Sequence, residues 1–146
     1  MARSWRIAGG MLLCGLVFGG LLTLVGPREF GVGEFLVFVP LAVVNSPLAF
    51  PRSIGAAEAQ RRGAVDGRPI VYWRPGCAYC LRLRIRLGRR ARLAHWVNIW
   101  ADPAGAAAVR AVAGGNETVP TVFVRGEASV NPDPRWFRDR LAARAG

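Results

Sequence analysis

The chain has 146 residues, enough for one domain of ordinary size plus attachments. At 52% hydrophobic and 20% charged residues, it carries too much apolar surface to stay disordered. Three cysteines exclude a disulfide-stapled scaffold, and a net charge of +11, with every basic residue an arginine, favours anionic partners.

The apolar residues are concentrated at the start. Ile7–Val25 is uncharged for 19 residues, close to the ~20 that cross a bilayer core as a helix. A second apolar segment, about 32–50, has its uncharged part at Phe35–Phe50 and is interrupted by Pro40, Asn45, Ser46 and Pro47. The pair reads as a transmembrane helical hairpin, helices about 7–25 and 32–50, forming a membrane anchor over 1–50. Arg3 and Arg6 before it, and Arg52, Arg61 and Arg62 after it, place both ends in the cytoplasm by the positive-inside rule. The expectation is a multi-pass protein of the cell membrane whose remaining domain faces the cytoplasm, with membrane lipid among its partners. Trp5 stands where an interfacial anchor would, and Cys14 reads as a small apolar side chain within the first helix. A signal peptide fits less well, because no A-x-A pattern follows the apolar run.

Residues 51–68 lack a sustained apolar period and read as a linker holding one short helix, Ala56–Arg62. The pattern changes over 69–146. Ile70–Trp73 is a short apolar run read as a strand. Leu81–Leu87 alternates with period two, as a strand would. It reads instead as a helix, because it follows a strand after only a Pro-Gly turn and contains no Val or Thr. On that helix Leu81 and Ile85 share one face and Leu83 and Leu87 another, so packing on both sides is expected. Ala94–Trp100 reads as the second strand. Asp102-Pro103 and Asp133-Pro134 are N-cap and N1 pairs, which open helices running to Ala113 and Ala145. Thr121–Val124 and Glu127–Val130 make a terminal hairpin. The order is strand–helix–strand–helix–strand–strand–helix, an α/β domain with a four-stranded mixed sheet flanked by helices.

The chemistry centres on Cys77-Ala78-Tyr79-Cys80 at a strand-to-helix junction. A helix N-terminus offers unpaired N–H groups and a positive partial charge, both of which stabilise a thiolate. Arg74 and Arg82 are near in sequence and add positive field. Cys77, at the helix mouth, is the expected nucleophile, and Cys80, one turn on, the thiol that resolves a mixed disulfide. A structural zinc site would need four ligands, for which His95 and Cys14 are the only further His or Cys. Thr118-Val119-Pro120 precedes a strand. Pro120 is either an ordinary strand-opening proline or a cis one that turns the Val119 backbone towards a substrate.

The segments VYWRPGCAYCLRLR, GGNETVPTVFV and NPDPRWF together resemble the glutaredoxin branch of the thioredoxin superfamily, and within it the mycoredoxins. The resemblance covers about Ile70–Ala145. It implies a thioredoxin-like fold and a thiol–disulfide oxidoreductase with Cys77 as nucleophile and Cys80 as resolving thiol. It further implies a cis Pro120, backbone contacts from Val119 beside Thr118, and Tyr79 lining the groove. Glutathione-using members carry Gly-Gly-x-Asp after the last strand; here the place reads Ser129-Val130-Asn131-Pro132, which points to mycothiol. Ala78 replaces the commoner Gly in the motif.

The resemblance implies no bound cofactor, mycothiol as the reducing co-substrate, and disulfide-containing proteins as partners; the two apolar segments bias these towards membrane proteins. A dithiol thioredoxin-like reductase and a non-enzymatic metal- or cluster-binding module are the alternatives. His95 reads as a strand residue. The arginines at 82, 84, 86, 89, 90 and 92 read as a solvated basic face, with no nucleic-acid partner, because aromatic interleaving is absent. Trp100 ends a strand.

Overall fold

Ile70–Trp73 is apolar at every position because it is the central strand of a sheet covered on both faces. A computed structural model describes the backbone of residues 2–26, 28–45 and 50–142. The chain forms two compact units, Met1–Ala49 and Phe50–Gly146.

The first unit holds α1 (Ala2–Val25) and α2 (Arg28–Asn45). The two helices pack closely: a Cβ on Gly15 would stand 2.9 Å from Phe38 Cβ. Outward side chains such as Leu13, Leu16, Val17 and Phe18 are exposed, as is Cys14. No helix among the described residues is long and apolar enough to cross a membrane. This overturns the transmembrane hairpin and the multi-pass, cytoplasm-facing placement expected from segments 7–25 and 32–50. In α2, Arg28, Glu29 and Glu34 fall inside the helix and Pro40 interrupts it. Its 18 residues rise only about 27 Å, against a hydrocarbon core of about 30 Å. In α1, five glycines and Thr23 dilute an otherwise apolar run. The Trp5 side chain, the Ser46-Pro47 break and the helix end at 143–145 lie outside the described residues.

The second unit contains α3 (Ala56–Asp66), β1 (Ile70–Trp73), α4 (Ala78–Leu87), a 3₁₀ segment (Gly88–Leu93), β2 (His95–Asn98), α5 (Pro103–Val112), β3 (Thr121–Val124), β4 (Glu127–Val130) and α6 (Pro134–Ala142). The strand order is β2-β1-β3-β4. β1 runs parallel to β2, with Val71 opposite Trp96, and antiparallel to β3, with Val71 opposite Val122. β3 and β4 form the hairpin, with Phe123 opposite Ala128. This mixed sheet with flanking helices is a thioredoxin-like α/β fold. α3 packs against β1, β2 and α5, while α4 packs against α6. Gly105 lets α5 approach the sheet, since a Cβ there would lie 2.9 Å from Val97 Cγ1.

Residues 51–68 are not a linker. Phe50 stacks on Trp73 with ring centroids 3.8 Å apart, so it belongs to the sheet unit and not to an apolar span ending at residue 50. Trp73 Nε1 donates to Ser53 Oγ at 2.9 Å, and the Ile54 N–H donates to the Trp96 carbonyl at 3.0 Å. α3 extends to Asp66, four residues beyond the expected helix, and buries Ala56 and Ala59.

α4 also differs from expectation. It buries Cys80, Leu83 and Leu87, whereas Ile85 is 65% exposed, so it packs on one side only. The period-two alternation places three of its arginines among leucines without making a second apolar face. His95 Nε2 lies 2.9 Å from Asp66 Oδ2, which ties β2 to the end of α3.

The Asp102 carboxylate caps two helices at once. Oδ1 accepts from the Gly105 N–H at 3.0 Å within α5, and Oδ2 accepts from the Ala56 N–H at 2.6 Å at the start of α3. One cap is worth about 1 kcal/mol. Asp102→Ala is therefore expected to lower the unfolding free energy in urea by about 2 kcal/mol, with Asp102→Asn costing less. A loss below about 0.5 kcal/mol would contradict the double-cap reading.

Candidate active site

β1 ends at Trp73, and Pro75-Gly76 turns the chain with Gly76 at φ 75°, where a side chain would be strained. Cys77 follows in extended conformation as the N-cap of α4. Its sulfur takes the place usually held by a serine or aspartate oxygen, accepting from the Cys80 N–H at 3.2 Å. The Leu81 N–H donates to the Cys77 carbonyl at 3.0 Å and continues the helix.

These contacts set the charge state of Cys77. Its pKa is lowered to about 6, first by the hydrogen bond from the Cys80 thiol, then by backbone donors of the first turn and the Arg74 guanidinium, against partial burial. Most of Cys77 is thus thiolate at neutral pH. Cys80 shows the opposite behaviour. It is fully buried, and burial together with the neighbouring Cys77 sulfur pushes its thiol far up. One cysteine is held as a partly exposed thiolate and the other as a protonated hydrogen-bond donor. Arg74 therefore contributes as the sequence suggested. Arg82 does not figure among the groups that lower Cys77; its field acts on Asp133, at the start of α6.

The loop before β3 comes to the same place. The Val119-Pro120 peptide is cis, and the Val119 carbonyl lies 3.3 Å from Cys77 Sγ. Two contacts hold this loop. Thr121 Oγ1, fully buried, donates to the Thr118 carbonyl at 2.7 Å, and the Asn131 N–H donates to the Pro120 carbonyl at 2.7 Å. Cys77, Cys80, Val119 and Pro120 are thereby assembled around one sulfur. Tyr79 sits on the first turn of α4 with its side chain 59% exposed. Thr118 enters through its carbonyl, which anchors the loop from below.

Asn131 stands in the Ser129-Val130-Asn131-Pro132 stretch after β4, where nothing in the sequence signals a role beside Pro120. Its φ of 49° is the left-handed conformation that asparagine tolerates, and it aims the N–H at Pro120. Asp133 Oδ1 accepts from the Arg135 and Trp136 N–H groups at 2.7 and 3.2 Å, which caps α6. Among the described residues no group of three or more His, Cys, Asp or Glu side chains comes together as metal ligands would.

A family model described as Glutaredoxin matches residues 70–128. Two Mycobacterium tuberculosis proteins named as glutaredoxins, from strains CDC 1551 / Oshkosh and ATCC 25618 / H37Rv, are each 38% identical over 77 residues, which is 52% of this chain and 92% of theirs. The chain belongs to the glutaredoxin family. The matched region lies within its second unit, and the protein is a thiol–disulfide oxidoreductase of the glutaredoxin kind. The matched region begins at the first strand, so α1, α2 and the whole of α3 lie outside what the family model covers.

The charge state gives a direct test. Alkylation of Cys77 by iodoacetamide is expected to rise with pH through a midpoint near 6, because the thiolate is the reactive form. Cys80→Ala removes the largest stabilising contact and is expected to move that midpoint upward, towards the ordinary thiol range near ~8.5. An unmoved midpoint in Cys80→Ala would contradict the assigned hydrogen bond.

Proposed function

We propose that the protein reduces mixed disulfides between proteins and a low-molecular-weight thiol, and that this thiol is mycothiol. The observation that carries the reading is the single competent thiolate, Cys77, beside a buried and protonated Cys80. The Cys77 thiolate attacks the disulfide on the low-molecular-weight side. A Cys77–mycothiol disulfide forms, and the protein sulfur leaves as a thiolate that takes up a proton from solvent. A second mycothiol thiolate then attacks the mycothiol sulfur of that adduct, giving mycothiol disulfide and restoring the Cys77 thiolate.

Resolution by Cys80 is the slower branch in this scheme. It requires the Cys80 thiol to lose its proton in a buried setting, where a charge is strongly disfavoured. If it does, Cys80 attacks the Cys77 sulfur, a Cys77–Cys80 disulfide forms and mycothiol leaves. In this scheme the cis Val119-Pro120 loop, whose Val119 carbonyl lies 3.3 Å from Cys77 Sγ, contacts the substrate and Tyr79 lines the groove.

The choice of mycothiol is supported by the stretch after β4. Ser129-Val130-Asn131-Pro132 has no glycine pair, the Asn131 N–H is already used by Pro120, and Oδ1 of Asp133 is used by the α6 cap. The groups with which a Gly-Gly-x-Asp stretch grips glutathione are therefore absent or occupied. The motif resemblance to mycoredoxins supports the same reading.

The test compares wild type, Cys77→Ser and Cys80→Ser on a peptide–mycothiol mixed disulfide and its glutathione counterpart. Expected are turnover of the mycothiol substrate by wild type, persistence of that turnover in Cys80→Ser, and background rates in Cys77→Ser. Loss of activity in Cys80→Ser would replace the scheme with a dithiol, thioredoxin-like mechanism. Preferential turnover of the glutathione substrate would overturn the mycothiol assignment.

A further inference from the structure

The mechanism leaves the arginines of α4 unused. Tyr79, Arg82 and Arg86 are spaced by three and four residues and all are exposed, so they form one stripe along the helix, flanking its buried face of Cys80, Leu83 and Leu87. Arg89 and Arg90, both exposed, continue it into the 3₁₀ segment. Among the described residues no ion pair involves these four arginines, whereas Arg61, Arg62, Arg68 and Arg110 each have a carboxylate. Asp133, on which the Arg82 charge acts, spends one oxygen on the α6 cap. The stripe begins at the reactive sulfur, since Cys77 caps this helix. With a rise of 1.5 Å per residue, Arg82 and Arg86 lie about 8 and about 14 Å along the axis from Cys77.

We propose that this stripe is the docking surface for the protein half of the substrate, and that it selects disulfides carried by acidic segments. The inference rests on Cys77 being the attacking thiolate, as proposed above. An extended peptide advances about 3.3 Å per residue. Carboxylates about two to four residues from the substrate cysteine therefore fall opposite Arg82 and Arg86 while its sulfur lies within one disulfide bond of Cys77. Unpaired positive charge beside the reaction centre raises the encounter rate with such a segment and suppresses basic ones.

The test uses the full chain and three single-cysteine peptides whose sulfur is linked to thionitrobenzoate. Acidic, neutral or basic residues occupy positions two to four from the cysteine. The Cys77 thiolate attacks the peptide sulfur, forms a Cys77–peptide disulfide and releases coloured thionitrobenzoate thiolate, so neither mycothiol nor turnover is needed. The acidic peptide is expected to react about tenfold faster than the neutral one at low ionic strength, with the basic peptide slowest. The differences should collapse in about 0.5 M salt. Arg86→Glu/Arg90→Glu is expected to reverse the order, while Arg110→Glu, on α5, keeps it; thermal unfolding of each variant confirms folding.

Equal release from all three peptides would overturn the docking surface and leave the thiolate assignment standing. No release from any peptide would overturn both. Equal suppression of all three by a stoichiometric single-stranded RNA would assign the stripe to nucleic acid and overturn the proposal.

Discussion

The Cys77 sulfur caps the helix that activates it. An α-helix leaves the N–H groups of its first turn without backbone partners. Here a sulfur, in place of an oxygen, accepts one of them, at 3.2 Å from the Cys80 nitrogen. The same donors that complete α4 therefore favour the thiolate. The cap also dictates the fate of Cys80, which must lie one turn along the helix on its buried face. There its thiol is kept protonated and donates to Cys77. Burial raises one thiol, while hydrogen bonds and the Arg74 charge lower the other, although both are cysteines of one short motif.

The rest of the second unit keeps that sulfur in place. β1 delivers the chain to the turn from the middle of the sheet, with its side chains buried on both faces. The β3 side brings the Val119 carbonyl to 3.3 Å from the sulfur, and Thr121 and Asn131 hold the loop that carries it. Phe50, Ser53 and Ile54 fasten the entering chain to Trp73 and Trp96, the two tryptophans of neighbouring strands. Asp102 then joins the starts of α3 and α5. The glutaredoxin domain is thus closed by a segment that precedes the region its family shares.

Features encoded locally were legible in the sequence. Both Asp-Pro pairs open helices as expected, because capping needs only residues a few positions apart. The strand positions and the placement of Cys-x-x-Cys at a strand-to-helix junction also followed from short patterns and turn residues. Features that depend on distant partners were hidden. Phe50 looked like the end of an apolar span because its partner, Trp73, lies in another element. Asp102 showed its cap on α5 but not the one on Ala56, 46 residues away. The lone alternation in Leu81–Leu87 suggested two packed faces, and only the position of α6 shows that one is used. Uncharged length overstated the membrane character of the N-terminal helices, since glycine content, internal charges and Pro40 count against a span.

The most direct measurement of the central claim is the identity of the sulfur that first takes up the low-molecular-weight thiol. The reduced full chain would be mixed with one equivalent of mycothiol disulfide, quenched with acid within seconds and mapped by peptide mass spectrometry. The account predicts a single adduct on Cys77 with Cys80 still a free thiol. An adduct on Cys80 would show that burial does not divide the roles of the two cysteines and would contradict it.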